Sequence, residues 1–325
     1  MLVPVLLFIL GFVCLIKGGD WFVDGAAGIA KRFNMPEILV GATVVSIGTT
    51  LPEVMVSASS AVMGHGEIAY GNAIGSIICN TALIAALTIA IRPSDVERKS
   101  LVLPTFFFFT AAVFYSAVAY FAGFFSRITG ILLLLMFVIY MFLTIRQAVK
   151  TDAGPEKDKE TEEKSDKNEP IWKLILLLIV GAALIAVGAD LLVDNGTIIA
   201  EALGVPESVV ALTFVALGTS LPELVTAITS LAKGYGALSL GNVIGANLFN
   251  LVLVSGISCT LSPFAVPVEK KIAGIPASLV VEIPLMLAVM AFVTIPALVR
   301  GKLSRFQGII LLAVYAAFCV FQFIG

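Results

Sequence analysis

The chain alternates long apolar blocks with short interruptions rich in glycine, proline or charge. Ten blocks reach the roughly 20 residues that a helix needs to cross a bilayer. They run over about 2–30, 37–63, 67–91, 101–122, 127–148, 171–200, 207–232, 237–262, 279–299 and 303–323. They are far longer than the roughly ten-residue alternating segments of a membrane β-barrel. The pattern predicts an all-α polytopic membrane protein with ten transmembrane helices. The first block has no basic leader and reads as a spanning helix in preference to a cleaved signal.

Composition sharpens this. Of 325 residues, 59% are hydrophobic and 13% charged, with a mean hydropathy of +1.05. That charge is too little to cover a soluble protein of this size. Eight of the 22 acids and four of the 20 basic residues fall in Thr151–Pro170. The organisation is therefore a first half, 1–148, an acidic linker, 149–170, and a second half, 171–325. The net charge of -2 says little, because Thr151–Pro170 alone carries -4, and no basic patch suggests nucleic acid. The four cysteines, Cys14, Cys79, Cys259 and Cys319, read as small hydrophobes in apolar blocks. A lone histidine, His65, gives no basis for an imidazole metal or haem site. With the N-terminus outside, sixteen lysines and arginines fall in inner connections and three, Arg127, Lys270 and Lys271, in outer ones. Positive charge stays on the cytoplasmic side. This predicts an N-out/C-out protein of the cell membrane with a cytoplasmic linker.

Shifting the sequence by 170 positions exposes an internal repeat. Asp20 meets Asp190, Asp24 meets Asp194, and Pro36-Glu37 meets Pro206-Glu207. VSIGTTLPE (45–53) meets VALGTSLPE (215–223), and GNAIGSIICN (71–80) meets GNVIGANLFN (241–250). Between 20 and 53, 15 of 34 positions are identical, and the matches include Gly, Pro, Asp and Glu. Five spans per copy is an odd number, so the second copy enters the membrane inverted. Inverted repeats are common in secondary transporters, which place their site at the repeat interface near mid-membrane.

The repeated motifs carry the candidate chemistry. Glu53 and Glu223 lie inside apolar spans, where an ionisable residue costs at least about 2.5–3.5 kcal/mol and marks an ion or substrate path by default. Each follows a proline that removes an amide from the helix ladder, Pro52 opposite Gly48 and Pro222 opposite Gly218. Both helices are expected to break there and turn carbonyls inward. Thr49 and Thr50, and Thr219 and Ser220, flank the breaks. Ser76 and Asn80 stand four residues apart in the next span, and Ala246 and Asn250 are their counterparts. Carboxylate, carbonyl, hydroxyl and amide oxygens without thiolate or imidazole suit a hard cation such as Ca²⁺ or Na⁺. Reading the motif as a mere kink leaves two carboxylates to Lys17, the only basic residue within a span. The glycines of GNxIG are expected to let helix backbones approach closely.

The paired GTTLPE and GTSLPE, each followed by GNxIG, resemble the two α-repeats of the Ca²⁺/cation antiporter superfamily, most of all compact prokaryotic sodium/calcium exchangers. The likeness covers essentially the whole chain. It implies a ten-helix fold with four central ion sites, calcium on Glu53, Glu223 and the carbonyls of Thr49 and Thr219, and sodium on Thr50, Ser220, Ser76, Asn80, Asn250 and the backbones of Ser46 and Ala216. It also implies that the first and sixth helices slide as a gate across the other eight. Their glycines, Gly18, Gly19, Gly25, Gly181 and Gly188, suggest loose packing there. Two departures stand out. Ala246 replaces a usual serine, with Ser46 as a candidate substitute, and Asn250 stands where potassium-dependent relatives have aspartate, which argues against a required K⁺ ligand.

The resulting expectation is a Na⁺/Ca²⁺ antiporter, electrogenic, with no cofactor and no protein partner beyond the lipid bilayer. Two buried glutamates are neutralised by one Ca²⁺ or by several Na⁺ on overlapping oxygens, so the ions compete, and an empty site is too costly to carry across. An H⁺/Ca²⁺ exchanger leaves the hydroxyl and amide oxygens without a task. A passive channel does not require inverted repeats. Hydrolase motifs are missing, so an enzyme is not expected. The pairs Asp20/Asp24 and Asp190/Asp194 read as solvated anchors, Glu282 as a helix-start acid, and the linker lacks an EF-hand pattern.

Overall fold

The computed structural model describes residues 2–93, 96–152, 169–203, 218–268 and 270–324. Helices dominate. They are α1 (Leu2–Arg32), α2 (Glu37–Val62), α3 (Gly66–Ile91), α4 (Arg98–Ala122), α5 (Arg127–Asp152), α6 (Ile171–Ala202), α7 (Leu221–Ala232), α8 (Gly236–Leu261), α9 (Ser278–Arg300) and α10 (Arg305–Ile324). Among the described residues nine are long and apolar enough to span a membrane, and α7 is a shorter apolar helix. The predicted linker falls largely on 153–168, outside the described residues. So does the start of the seventh block.

Two short antiparallel ribbons interrupt the helical pattern. β1 (Phe124–Phe125) pairs with β2 (Phe264–Ala265), with Phe124 opposite Ala265, and β3 (Lys271–Ile272) pairs with β4 (Ile275–Pro276). The connections gather into two sets. On one side the Val96 amide donates to the Gly301 carbonyl at 2.9 Å, and Lys31 lies over the Tyr235 ring. On the other, Val266 donates to Gly123 at 3.0 Å, beside the ribbon of β1 and β2. The α2–α3 and α7–α8 hairpins turn on equivalent glycines, Gly64 at φ 89° and Gly234 at φ 87°, a left-handed conformation that favours glycine.

Buried apolar residues form two clusters. The larger joins α2–α5 to α7–α10 and includes Tyr70, Phe108, Tyr115, Tyr140 and Phe249. The smaller centres on α1 and α6, with Leu15, Phe22, Ile185 and Ala189. Here α1 and α6 pack closely on each other through their glycines. A Cβ at Gly18 would lie 2.8 Å from the Gly181 carbonyl oxygen, and one at Gly11 3.0 Å from that of Gly188. The glycines bring the two backbones into contact, as small residues do between membrane helices.

Among the described residues five helices contain a π-helical turn: Gly41–Val45 in α2, Asn80–Ala85 in α3, Val118–Ala122 in α4, Asn250–Val254 in α8 and Ser278–Glu282 in α9. Those in α3 and α8 begin on the equivalent asparagines Asn80 and Asn250. Such turns gather at functional sites.

Candidate functional site: a buried pair of carboxylates

The two proline-bearing motifs fold differently. In α2 the helix continues through Pro52, from Ser46 to Val62, and the irregular turn lies one step earlier at Gly41–Val45. The break expected before Glu53 is therefore absent. The missing proline amide costs one bond of the ladder, while Gly48, whose Cβ would lie 2.8 Å from Phe22, lets α1 pack on that turn. In the second copy the expected interruption is present. Thr219 and Ser220 form a turn, and α7 starts at Leu221 with Pro222 in its first turn, the position that tolerates proline best.

Glu53 and Glu223 are both fully buried. Thr50 Oγ1 lies 3.5 Å from Glu223 Oε1, within donating reach across the two halves. Neither carboxylate has an ion-pair partner among the described residues, and Lys17 is exposed on α1. Both oxygens of Glu53, Glu223 Oε2, the Ser220 hydroxyl, both amide atoms of Asn80 and Asn250 Oδ1 are buried without a hydrogen-bond partner among the described residues. Buried polar atoms normally find partners. A concentration of orphaned oxygens around two carboxylates is a donor set for a cation, with only neutral oxygens beside the two acids.

The asparagines approach crosswise. The turn beginning at Asn80 packs against α7, and the turn beginning at Asn250 packs against α2. Asn250 Nδ2 donates to the Ala246 carbonyl at 3.1 Å, which leaves its oxygen for the site. Ser76 is buried and lines a cavity of about 370 Å³ between α3 and α10, together with Asn72, Cys79 and Thr219. A larger cavity of about 760 Å³ separates α2 from α6 and is lined by Thr49, Pro52, Asp190, Asp194 and Thr219. Thr219 lines both cavities.

The Ser46 hydroxyl lies 2.8 Å from the Gly41 carbonyl and 2.9 Å from that of Asn242, so it ties α2 to α8. Ala216 lies outside the described residues. The GNxIG glycines divide by copy. A Cβ at Gly241 or Gly245 would run into Ile38 or Ala42 and Ser46, whereas Gly71 and Gly75 face open space. Close approach thus holds for the second copy only. The acidic pairs also differ. Lys233 holds Asp24 at 2.7 Å and Asp20 at 3.5 Å, so this partly exposed acidic pair is also an ion-paired contact between α1 and the end of α7. Asp190 and Asp194 have no such lysine, because the position equivalent to Lys233 is Met63. Glu282 accepts from Gln322 Nε2 at 3.2 Å.

Sequence reasoning passed over Asn72, Asn242 and Asn247. Asn247 Nδ2 donates to Thr81 Oγ1 at 2.7 Å and pins α8 to α3. The signal was available, since polar amides inside apolar blocks call for partners.

A multi-pass helical membrane protein with a buried, oxygen-only pair of acids belongs to the class of integral membrane cation-handling proteins. Comparison with known proteins narrows the class. The family model described as sodium/calcium exchanger protein matches residues 3–146 and 173–324. An uncharacterized membrane protein of Methanocaldococcus jannaschii is 36% identical over 314 residues, covering 95% of this chain and 94% of that protein. The sodium/calcium exchanger MaX1 of Methanosarcina acetivorans is 30% identical over 355 residues, with 98% of both chains covered. A solved structure of the sodium-calcium exchanger NCX_Mj superimposes with a TM-score of 0.78 at 33% identity, over 97% of both chains. The chain belongs to the sodium/calcium exchanger family, whose members are transporters and not enzymes.

Proposed function

We propose that this protein is a secondary active antiporter of the cell membrane that exchanges Na⁺ for Ca²⁺ by alternating access, electrogenically, at one central cluster of sites. Calcium is held by Glu53, Glu223 and the carbonyls of Thr49 and Thr219. Sodium uses Thr50, Ser220, Ser76, Asn80, Asn250 and the backbones of Ser46 and Ala216. The observation that carries the reading is the buried pair Glu53/Glu223 with its unpartnered oxygens and no cationic side chain.

The mechanism follows from charge. Two carboxylates in a low-dielectric interior are tolerable when a cation neutralises them and costly when bare. One Ca²⁺ or several Na⁺ meets that need on overlapping oxygens, so the two ions compete. A protein that crosses between states only when loaded is an exchanger. Ten spans, N-out/C-out, arranged as inverted halves 1–148 and 171–325 around a cytoplasmic linker 149–170, place the site at the halves' interface. The gathering of connections on two sides supports this alternation. Close glycine contact between α1 and α6 supports their moving as one body across the rest.

The test is ⁴⁵Ca²⁺ uptake into proteoliposomes under an imposed Na⁺, K⁺ or pH gradient, each varied alone. Uptake should follow the Na⁺ gradient, saturate, and respond to membrane potential. Uptake driven by the pH gradient alone identifies an H⁺/Ca²⁺ exchanger, and non-saturating flux without a counter-ion identifies a channel; either result overturns the proposal.

A further inference from the structure

We infer that Asn72 and Asn242 are positioning residues of the exchange site, each holding the motif threonine of the opposite half. This rests on the function proposed above. The two residues occupy equivalent places in the repeat, as do Thr49 and Thr219. Thr219 Oγ1 donates to Asn72 Oδ1 at 3.2 Å, and Thr49 Oγ1 donates to Asn242 Oδ1 at 3.2 Å. The bonds run across the repeat, from α2 to α8 and from the turn before α7 to α3. Donor, acceptor and distance match in both.

The choice of partner is unusual within this protein. Thr43, Thr81, Thr144 and Thr294 all donate to the carbonyl four residues earlier in their own helix, at 2.7 to 2.9 Å. That is the ordinary fate of a threonine hydroxyl inside a helix. Thr49 and Thr219 instead spend their proton across the interface. Each threonine side chain is thereby fixed in orientation against the opposite half. Each asparagine oxygen accepts from its threonine, so Asn72 and Asn242 act by orienting the residues that hold the ion.

The two clamps are unequal. Asn72 Nδ2 also donates to the Glu53 carbonyl at 3.2 Å and to Ser57 Oγ at 2.8 Å. Asn72 therefore links Glu53 of one half to Thr219 of the other. Asn242 Nδ2 has no partner among the described residues, and the position equivalent to Ser57 is Ala227, which has no hydroxyl to offer. Its oxygen lies near Ser46 Oγ as well, at 3.3 Å. Asn72 is the dominant clamp.

A double-mutant cycle read by the Ca²⁺ concentration for half-maximal uptake tests this in proteoliposomes of the full chain. Asn72→Ala and Thr219→Val should each raise that concentration about tenfold, and the double variant should raise it no further, because contacting residues couple. Asn242→Ala with Thr49→Val should behave likewise with smaller single effects. Asn72→Ala with Thr49→Val, which are not partners, should multiply. Thr219→Ser, which keeps the hydroxyl, should shift half-saturation several-fold less than Thr219→Val. If Asn72→Ala does not fold, the isosteric Thr219→Val compared with Thr219→Ser still decides. Multiplying effects in the Asn72/Thr219 double variant, or equal losses for Thr219→Ser and Thr219→Val, would overturn the clamp. Neither result touches the site assignment, which stands or falls with Glu53→Gln and Glu223→Gln in the same assay.

Discussion

Gly18 and Gly181 meet face to face across α1 and α6, and a Cβ on either would lie 2.8 Å from the other's carbonyl oxygen. One helical heptad along, Gly11 meets Gly188, and in the other direction Gly25 meets the backbone of Leu174. In lipid, where apolar side chains gain little from leaving the solvent, such backbone proximity is what holds two helices together. The α1–α6 pair is thus a closely packed unit, which α2 and α7 also touch.

Substituting either glycine tests that unit. Gly181→Leu inserts a side chain where backbone atoms already sit, and overpacking of this kind costs about 1–3 kcal/mol. The expected outcome is a lower thermal unfolding midpoint in detergent and loss of Na⁺-driven Ca²⁺ uptake. An unchanged midpoint with full uptake would show that α1 and α6 tolerate separation.

The repeat supplies an internally controlled pair. Gly71 and Gly241 are equivalent in sequence, yet a methyl group at 241 would overlap the Ile38 carbonyl while one at 71 meets nothing within 4 Å. A glycine in a helix is less favourable than alanine by about 1 kcal/mol. Gly71→Ala is therefore expected to be neutral or stabilising by up to about 1 kcal/mol, and Gly241→Ala to be destabilising. Thermal unfolding of the two variants side by side checks this; equal shifts would contradict the asymmetry.

Why that asymmetry escaped the sequence is a matter of physics. Apolar block length and Lys/Arg placement mark where helices lie, and the described helices other than α7 fall within a few residues of the blocks. The repeat also singled out Glu53 and Glu223, because a charge inside an apolar block is rare enough to stand alone. What two identical motifs cannot reveal is which copy is packed and which faces a cavity, since that depends on how the halves sit against each other. Proline likewise announces a lost hydrogen bond at both 52 and 222, but the neighbouring turn decides whether the helix breaks. Asn72 and Asn242 were hidden for a further reason. Their partners, Thr219 and Thr49, are some 150 to 190 positions away in sequence.

Lys233 joins Asp20 and Asp24 of α1 to the end of α7, and no lysine occupies the equivalent position 63. Lys233 and Asp24 are partly exposed, so the pair contributes at most about 1 kcal/mol, and less at high salt. Lys233→Met should lower stability by no more than that and remove part of its salt dependence. The measurement is the unfolding midpoint at low and high ionic strength. A large loss insensitive to salt would mean that Lys233 acts through packing.

The buried acids make the strongest prediction. Glu53 and Glu223 have no cationic side chain beside them among the described residues, so in the absence of ions their charged forms are unfavourable in the interior. Binding of Ca²⁺ to the folded state stabilises it by RT ln(1 + [L]/Kd), about 2.7 kcal/mol at a concentration 100 times Kd. The parent protein should therefore show a Ca²⁺-dependent rise in its unfolding midpoint. Glu53→Gln and Glu223→Gln keep the side-chain shape and remove one charge each. Both variants should fold, should be at least as stable as the parent without ions, and should lose most of the Ca²⁺-dependent rise together with exchange activity. The stability gain without ions separates this from damage, because a variant that merely misfolds loses stability in every condition. A variant that keeps the full calcium-dependent rise would remove that glutamate from the site.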